Sequence, residues 1–105
     1  MFAVDAWQVV SEPRRRRILR LVWERELSAG QIAAEFDVTF GAVSQHLAVL
    51  RQAGFVRSRR EGNHVYYRAD REGMGPFADA LEAMWTATLD EIAEAVEAAQ
   101  DREEA

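Results

Sequence analysis

The stretch that most constrains this chain runs from residue 28 to residue 54. Ser28 with Gln31 three residues on is a capping-box pattern, and Ile32, Ala33 and Phe36 behind it form one apolar face. Thr39 is a second capping residue, after which Val43, Leu47 and Leu50 recur at helical spacing. Gly54 is placed to end that second helix in a left-handed turn. The first helix stops around Asp37, so Asp37, Val38 and the cap Thr39 are all that separates the two. Helices this short, joined this tightly, turn a corner and cannot lie side by side as a long bundle.

The rest of the pattern frames that corner. After Gly54 the period changes: residues 55–60 and 64–69 are rich in β-branched, aromatic and arginine residues, and Gly62-Asn63 between them is a hairpin turn. Upstream, Phe2, Val4, Ala6, Trp7 and Val10 suggest a short first helix. Glu12-Pro13 opens a second, whose apolar run of Ile18, Leu19, Leu21, Val22 and Trp23 ends near Glu26. Downstream, Gly73 and Gly75-Pro76 interrupt the chain before a long helix begins. The expectation is an α+β fold, mainly α: a winged helix-turn-helix with a two-stranded β-hairpin wing and terminal helices suited to dimerisation. One domain covers 1–100, with the helix-turn-helix at about 28–53, the wing at about 55–69 and the C-terminal helix at about 76–99. Residues 101–105 read as a frayed acidic tail.

Charge is distributed to match. The net charge is -5, yet residues 14–71 hold twelve of the thirteen arginines against six acids, while residues 72–105 hold one arginine against ten acids. A basic middle before an acidic end points to a polyanion partner for the middle. B-DNA's major groove admits one α-helix, and a basic hairpin beside it can reach flanking phosphates or the minor groove. The helix after Thr39 leaves Phe40, Gly41, Ser44, Gln45, Ala48 and Arg51 facing outward. Gln45 can pair with adenine, Ser44 with several bases, Phe40 can touch a thymine methyl, and Thr39 and Ser44 can hold phosphates. The wing supplies Arg57, Arg59, Arg60, Asn63, His64 and Arg68 for phosphate or minor-groove contact. Residues 14–17 are four consecutive arginines, which helix phase spreads around the axis. They cannot all face DNA, and pairing with nearby acids is the expectation for each.

On these residues the chain resembles the ArsR/SmtB family of bacterial repressors. Glu12-Pro13 followed by Arg14 to Leu19 is similar to the family's Asp-Pro-x-Arg-x-x-Ile-Leu opening, and residues 27–33 to its helix before the turn. Val43-Ser44-Gln45-His46-Leu47, Leu50 and Ala53-Gly54-Phe55-Val56 match its Val-Ser-x-His-Leu-x-x-Leu-x-x-Ala-Gly-Leu-Val signature. Glu61-Gly62 with Val65-Tyr66-Tyr67 resembles its wing. The resemblance adds His46 to the reading-helix candidates. It implies a homodimer, with the first and last helices as the dimer core, that binds an inverted-repeat DNA operator near a promoter and is released by a signal; with no basic, apolar leader at the N-terminus, the expected location is the cytoplasm. The apolar stripe Phe77, Leu81, Met84, Trp85, Leu89, Ile92 and Val96, with Phe2, Val4 and Trp7, is then a dimer seam as well as domain packing.

Several chemistries are disfavoured. There is no Cys, so thiolate metal sites and disulfides are excluded, and the two histidines, His46 and His64, lie at no sensing position of the family. Asp90, Glu94, Glu97 and Asp101 share a helical stripe, but carboxylates along one straight face read as a solvated surface rather than a metal site. No nucleophile-base-acid set or glycine-rich phosphate loop marks an enzyme. No apolar run of about 18 residues marks a membrane span. The expectation is no cofactor, no metal and no membrane; the input is an unidentified small molecule, a partner protein, or none, with constitutive repression. The competing reading is a winged-helix module for protein or RNA contacts. The Arg-only, Ala-rich usage is consistent with a GC-rich bacterial genome.

Overall fold

Side-chain caps place the first helices. In the computed structural model, which describes the backbone of residues 5–104 and their side chains apart from 88–92, 94–95 and 101–104, Asp5 precedes helix α1 (Ala6–Ser11). Its carboxylate accepts the N–H groups of Trp7 (3.1 Å) and Gln8 (3.3 Å). Glu12 then ends α1 and caps α2 (Pro13–Leu21), accepting Arg15 N–H at 3.0 Å, with Pro13 where its missing N–H costs nothing. The orphaned carbonyls at the end of α1 are taken by arginine side chains. Arg15 Nε donates to the Val9 carbonyl (2.7 Å), and Arg16 Nη1 to those of Val10 (2.7 Å) and Ser11 (3.2 Å). Half of the basic run is thus spent on backbone capping rather than on pairing with acids. Arg14 and Arg17 do sit near acids, at 3.8 Å from Glu12 and 3.9 Å from Glu35.

The second helix ends at Leu21, earlier than its apolar run suggests. Val22 and Trp23 are buried without being helical, and the chain instead enters a two-residue strand, β1 (Leu27–Ser28). Ser28 also caps α3 (Ala29–Ala33) through a complete capping box: Gln31 N–H donates to Ser28 Oγ (3.1 Å) and Ser28 N–H to Gln31 Oε1 (2.8 Å). Helix α3 ends at Ala33 rather than near Asp37, because the Glu35 and Phe36 N–H groups bond back three residues to the Ile32 and Ala33 carbonyls as a turn, and residues 34–39 make the corner. Thr39 Oγ1 then accepts Ala42 N–H at 3.1 Å and starts α4 (Phe40–Gln52), which buries Val43, Leu47 and Leu50.

Helix α4 stops in a Schellman motif. Gly54 takes φ 79°, Gly54 N–H donates to the Arg51 carbonyl (3.0 Å), and Phe55 N–H to that of Leu50 (2.9 Å). Strands β2 (Val56–Glu61) and β3 (His64–Ala69) pair antiparallel around Gly62-Asn63. Gly62 has φ 61° and, among the described residues, no non-glycine residue has positive φ, the pattern of a type II′ hairpin. The sheet has three strands in the order β1-β3-β2, with Leu27 opposite Tyr67 and Ser28 opposite Tyr66. The expected two-stranded wing therefore gains an inner strand, which joins it to the helix-turn-helix.

Two compact units result, one through Met74 and one from Gly75. The first has a core of Val9, Val10, Ile18, Leu19, Val22, Trp23, Ile32, Val43, Leu47, Leu50, Phe55 and Val56. Each such side chain removed from water contributes roughly 1.5–3 kcal/mol. The unit closes with the short helix α5 (Arg71–Met74), whose Gly73 N–H donates to Asp70 Oδ1 at 3.0 Å. The second unit is α6 (Pro76–Glu104), which continues past the expected end at about 99 because residues 98–104 contain neither Gly nor Pro.

Candidate nucleic-acid interface

The period of α4 separates a buried stripe from a solvent face. Val43, Leu47 and Leu50 are at most 2 % exposed, while Phe40, Gly41, Ser44, Gln45, Ala48 and Arg51 are all exposed. This is the face expected from the sequence, and its first turn is held by the Thr39 cap. Thr39 Oγ1 is engaged as an acceptor, leaving its proton to donate outward. His46 lies elsewhere. It falls at i+3 from Val43 and four residues before Leu50, on the inward side, half-buried with Nε2 3.7 Å from Glu12 Oε2. The histidine of the signature thus faces the start of α2, away from the solvent face of α4.

Register sorts the wing residues. Val56 opposite Ala69, Ser58 opposite Tyr67 and Arg60 opposite Val65 share one side of the sheet, where Val56 and Ala69 are buried. Arg57 opposite Arg68, Arg59 opposite Tyr66 and Glu61 opposite His64 share the other. On that second side Arg59 is heavily engaged. Its Nε donates to Glu26 Oε2 (2.8 Å) and its Nη2 to Glu26 Oε1 (2.6 Å), while its Nη1 donates to Glu61 Oε2 (2.7 Å). The guanidinium lies 4.7 Å over the Tyr66 ring. Tyr66 and Tyr67 are both partly covered. The hydrogen bonds from Arg59 hold the Glu26 carboxyl below its ordinary value, with the positive fields of Arg59 and Arg68 adding to the effect. The same bonds to Glu26 and Glu61 push the Arg59 pKa up.

The other wing cations are less encumbered. Arg57 is 3.8 Å from Asp70 and highly exposed, and Arg60 makes a long 3.4 Å contact to the Gly62 carbonyl. Arg51, Arg60 and Arg68 have no carboxylate within ion-pair distance among the described residues. Asn63 and His64 are exposed at the hairpin tip. A groove of about 300 Å³ lined by Ser28, Ala29, Gly30, Phe40, Asn63, His64 and Val65 joins the starts of α3 and α4 to that tip. Of the reading-helix and wing candidates, the groove brings Phe40 together with Asn63 and His64.

Of the expected dimer residues, Trp7 is 61 % exposed, Met84 37 % and Val96 52 %; Phe77 and Trp85 are half-buried and Leu81 is buried. Phe2 and Val4, and the side chains of Leu89 and Ile92, lie outside the described residues, as do those of Asp90, Glu94 and Asp101. Among the described residues, no three His, Asp or Glu side chains are grouped to hold a metal ion, and no helix is long and apolar enough to cross a membrane.

Residues 12–58, from the Glu12 cap into β2, match the model of the bacterial regulatory proteins of the arsR family. Over 96 residues the chain is 32 % identical to the HTH-type transcriptional regulator Rv2034 of Mycobacterium tuberculosis, covering 91 % of this chain and 90 % of that protein. The chain belongs to the arsR family. This arsR-family chain is also 35 % identical over 63 residues to the transcriptional repressor SdpR of Bacillus subtilis, covering 60 % of this chain and 70 % of that one. Its fold matches the homodimeric winged helix-turn-helix DNA-binding domain of Mb0332 from Mycobacterium bovis, with a TM-score of 0.62 and 30 % identity over 80 % of this chain and 74 % of that one. The family is one of DNA-binding transcription regulators rather than enzymes.

Proposed function

We propose that this arsR-family regulator is a homodimeric repressor that binds an inverted-repeat operator in the bacterial cytoplasm. The observation that carries the reading is the solvent face of α4, where Gly41, Ser44 and Gln45 stand exposed, with a wing whose Arg60 and Arg68 have no carboxylate within ion-pair distance among the described residues. Small and polar side chains there permit close approach to base edges. Gln45 pairs with adenine, Ser44 and Thr39 bond a base or phosphate, and Arg51 meets the backbone. Arg57, Arg60 and Arg68, with Asn63 and His64 at the tip, meet flanking phosphates or the minor groove. A second copy covers apolar surface at Trp7 and along α6, where Met84 and Val96 are exposed. Two-fold symmetry then sets two reading helices about one DNA turn apart, roughly 34 Å. The homodimeric relative of matching fold and the repressor among the relatives support this reading.

A mobility shift with DNA from upstream of the protein's own gene, at two salt concentrations, tests it. A sequence-selective shift that weakens with salt is expected. Selective binding absent at moderate salt overturns the reading.

A further inference from the structure

Phe40 leaves more than half of its surface in solvent. It is the first residue of α4 and 58 % exposed, whereas Val43, Leu47 and Leu50 of the same helix are at most 2 % exposed. Its place is fixed: the Thr39 cap holds the first turn, and Phe40 walls the groove that leads to Asn63, His64 and Val65 at the wing tip. The neighbouring Gly41 presents no side chain, and the nearest atom to a Cβ built there is Thr39 Oγ1 at 4.0 Å. The N-terminal end of the helix is therefore an apolar ring beside a bare backbone.

The N-terminal residues of a reading helix are those that reach base edges. A phenyl ring has neither donor nor acceptor, so it cannot use the hydrogen-bonding groups that guanine, cytosine and adenine present in the major groove. One apolar group exists on those edges, the C5-methyl of thymine. We propose that Phe40 is a specificity-determining residue that covers the C5-methyl of one thymine in each half-site. The inference rests on the operator-binding reading above and adds to it a required base.

Deoxyuridine tests this directly, because it keeps every hydrogen-bonding group of thymine and lacks only the methyl. Duplexes are selected from a random pool with the full-length protein, and each thymine of the selected half-site is replaced in turn, symmetrically, by deoxyuridine. Burial of one methyl-sized group corresponds to about a fourfold loss per half-site and about fifteenfold for the dimer. The expected result is such a loss at one thymine position for the unaltered protein, and none there for Phe40→Ala. Circular dichroism and melting confirm that the variant is folded, as expected for truncation of an exposed side chain. Selective binding that is indifferent to every replacement overturns this inference alone. So does a Phe40→Ala protein that keeps the full deoxyuridine penalty. Failure to select any duplex overturns the regulator reading, and this one with it.

Discussion

Arg59 and Arg60 are adjacent in sequence, and the structure predicts opposite consequences for their loss. The Arg59 guanidinium is bound by Glu26 and Glu61 and laid on Tyr66, whereas Arg60 has no carboxylate within reach among the described residues. A cation placed on a phosphate contributes about 0.9 to the slope of log affinity against log salt, hence about 1.8 for a dimer. Between about 50 and about 200 mM salt, that contribution is roughly a twelvefold change in affinity. Arg60→Gln is expected to flatten the slope by this amount. Arg59→Gln is expected to leave the slope largely unchanged, because Arg59 is held by Glu26 and Glu61 and so releases no counterion from a phosphate. Fluorescence anisotropy with a labelled operator at four salt concentrations measures both slopes. If Arg59→Gln flattens the slope as much as Arg60→Gln does, the carboxylate cage opens on DNA and the assignment of Arg59 to the wing's own structure is refuted.

Gln45→Ala is expected to relax base preference while leaving non-specific binding intact, measured as the ratio of operator to random-duplex affinity; equal loss on both would contradict its base-reading role. Gly73→Ala is expected to destabilise the fold by about 1–3 kcal/mol, seen as a lower denaturation midpoint, because the new Cβ would land on the Gly54 carbonyl oxygen and lie 2.9 Å from Asp70 Oδ2. The Glu26 carboxyl is lowered in the folded state by Arg59, so its contribution to stability is present above the unfolded value of 4.5 and is lost as pH falls through the lower folded value. The melting difference between the unaltered protein and Glu26→Gln should therefore hold from neutral pH down to about 4.5 and shrink in stronger acid; a difference that fades well above 4.5 would contradict the ion pair.

What was legible in the sequence was local. Ser28 with Gln31, Thr39, Gly54 and Gly62-Asn63 each act through a bond or a backbone angle within a few residues, so their patterns locate the helices and the hairpin directly. Strand β1 was not legible, because two residues carry no period and Leu27 joins the sheet through Tyr67, forty positions away. A separation of 33 residues likewise hid the fate of Arg59, whose partner Glu26 lies just before β1. Val22 and Trp23 read as helix because they are apolar, but burial and helix are separate properties, and here only the first holds. The solvent face of α4 was legible from its period. The inward turn of His46 follows from the same period, since it shares a stripe with Val43 and Leu50, although the family signature alone does not say so.

The end of α4 and the root of the wing are one joint. Phe55 N–H closes the helix onto Leu50, the Phe55 carbonyl accepts Asp70 N–H at 2.8 Å, and the Ala69 N–H is held by the Val22 carbonyl at 3.0 Å. A buried aromatic residue thus terminates the helix with its amide and anchors the hairpin with its carbonyl, leaving no slack segment between them. The unit is therefore a ruler of fixed length, with the interval between the solvent face of α4 and the wing set when the chain folds. Under the proposed dimeric reading, a signal that controls binding would have little to adjust within one copy and would act on the interval between the two copies.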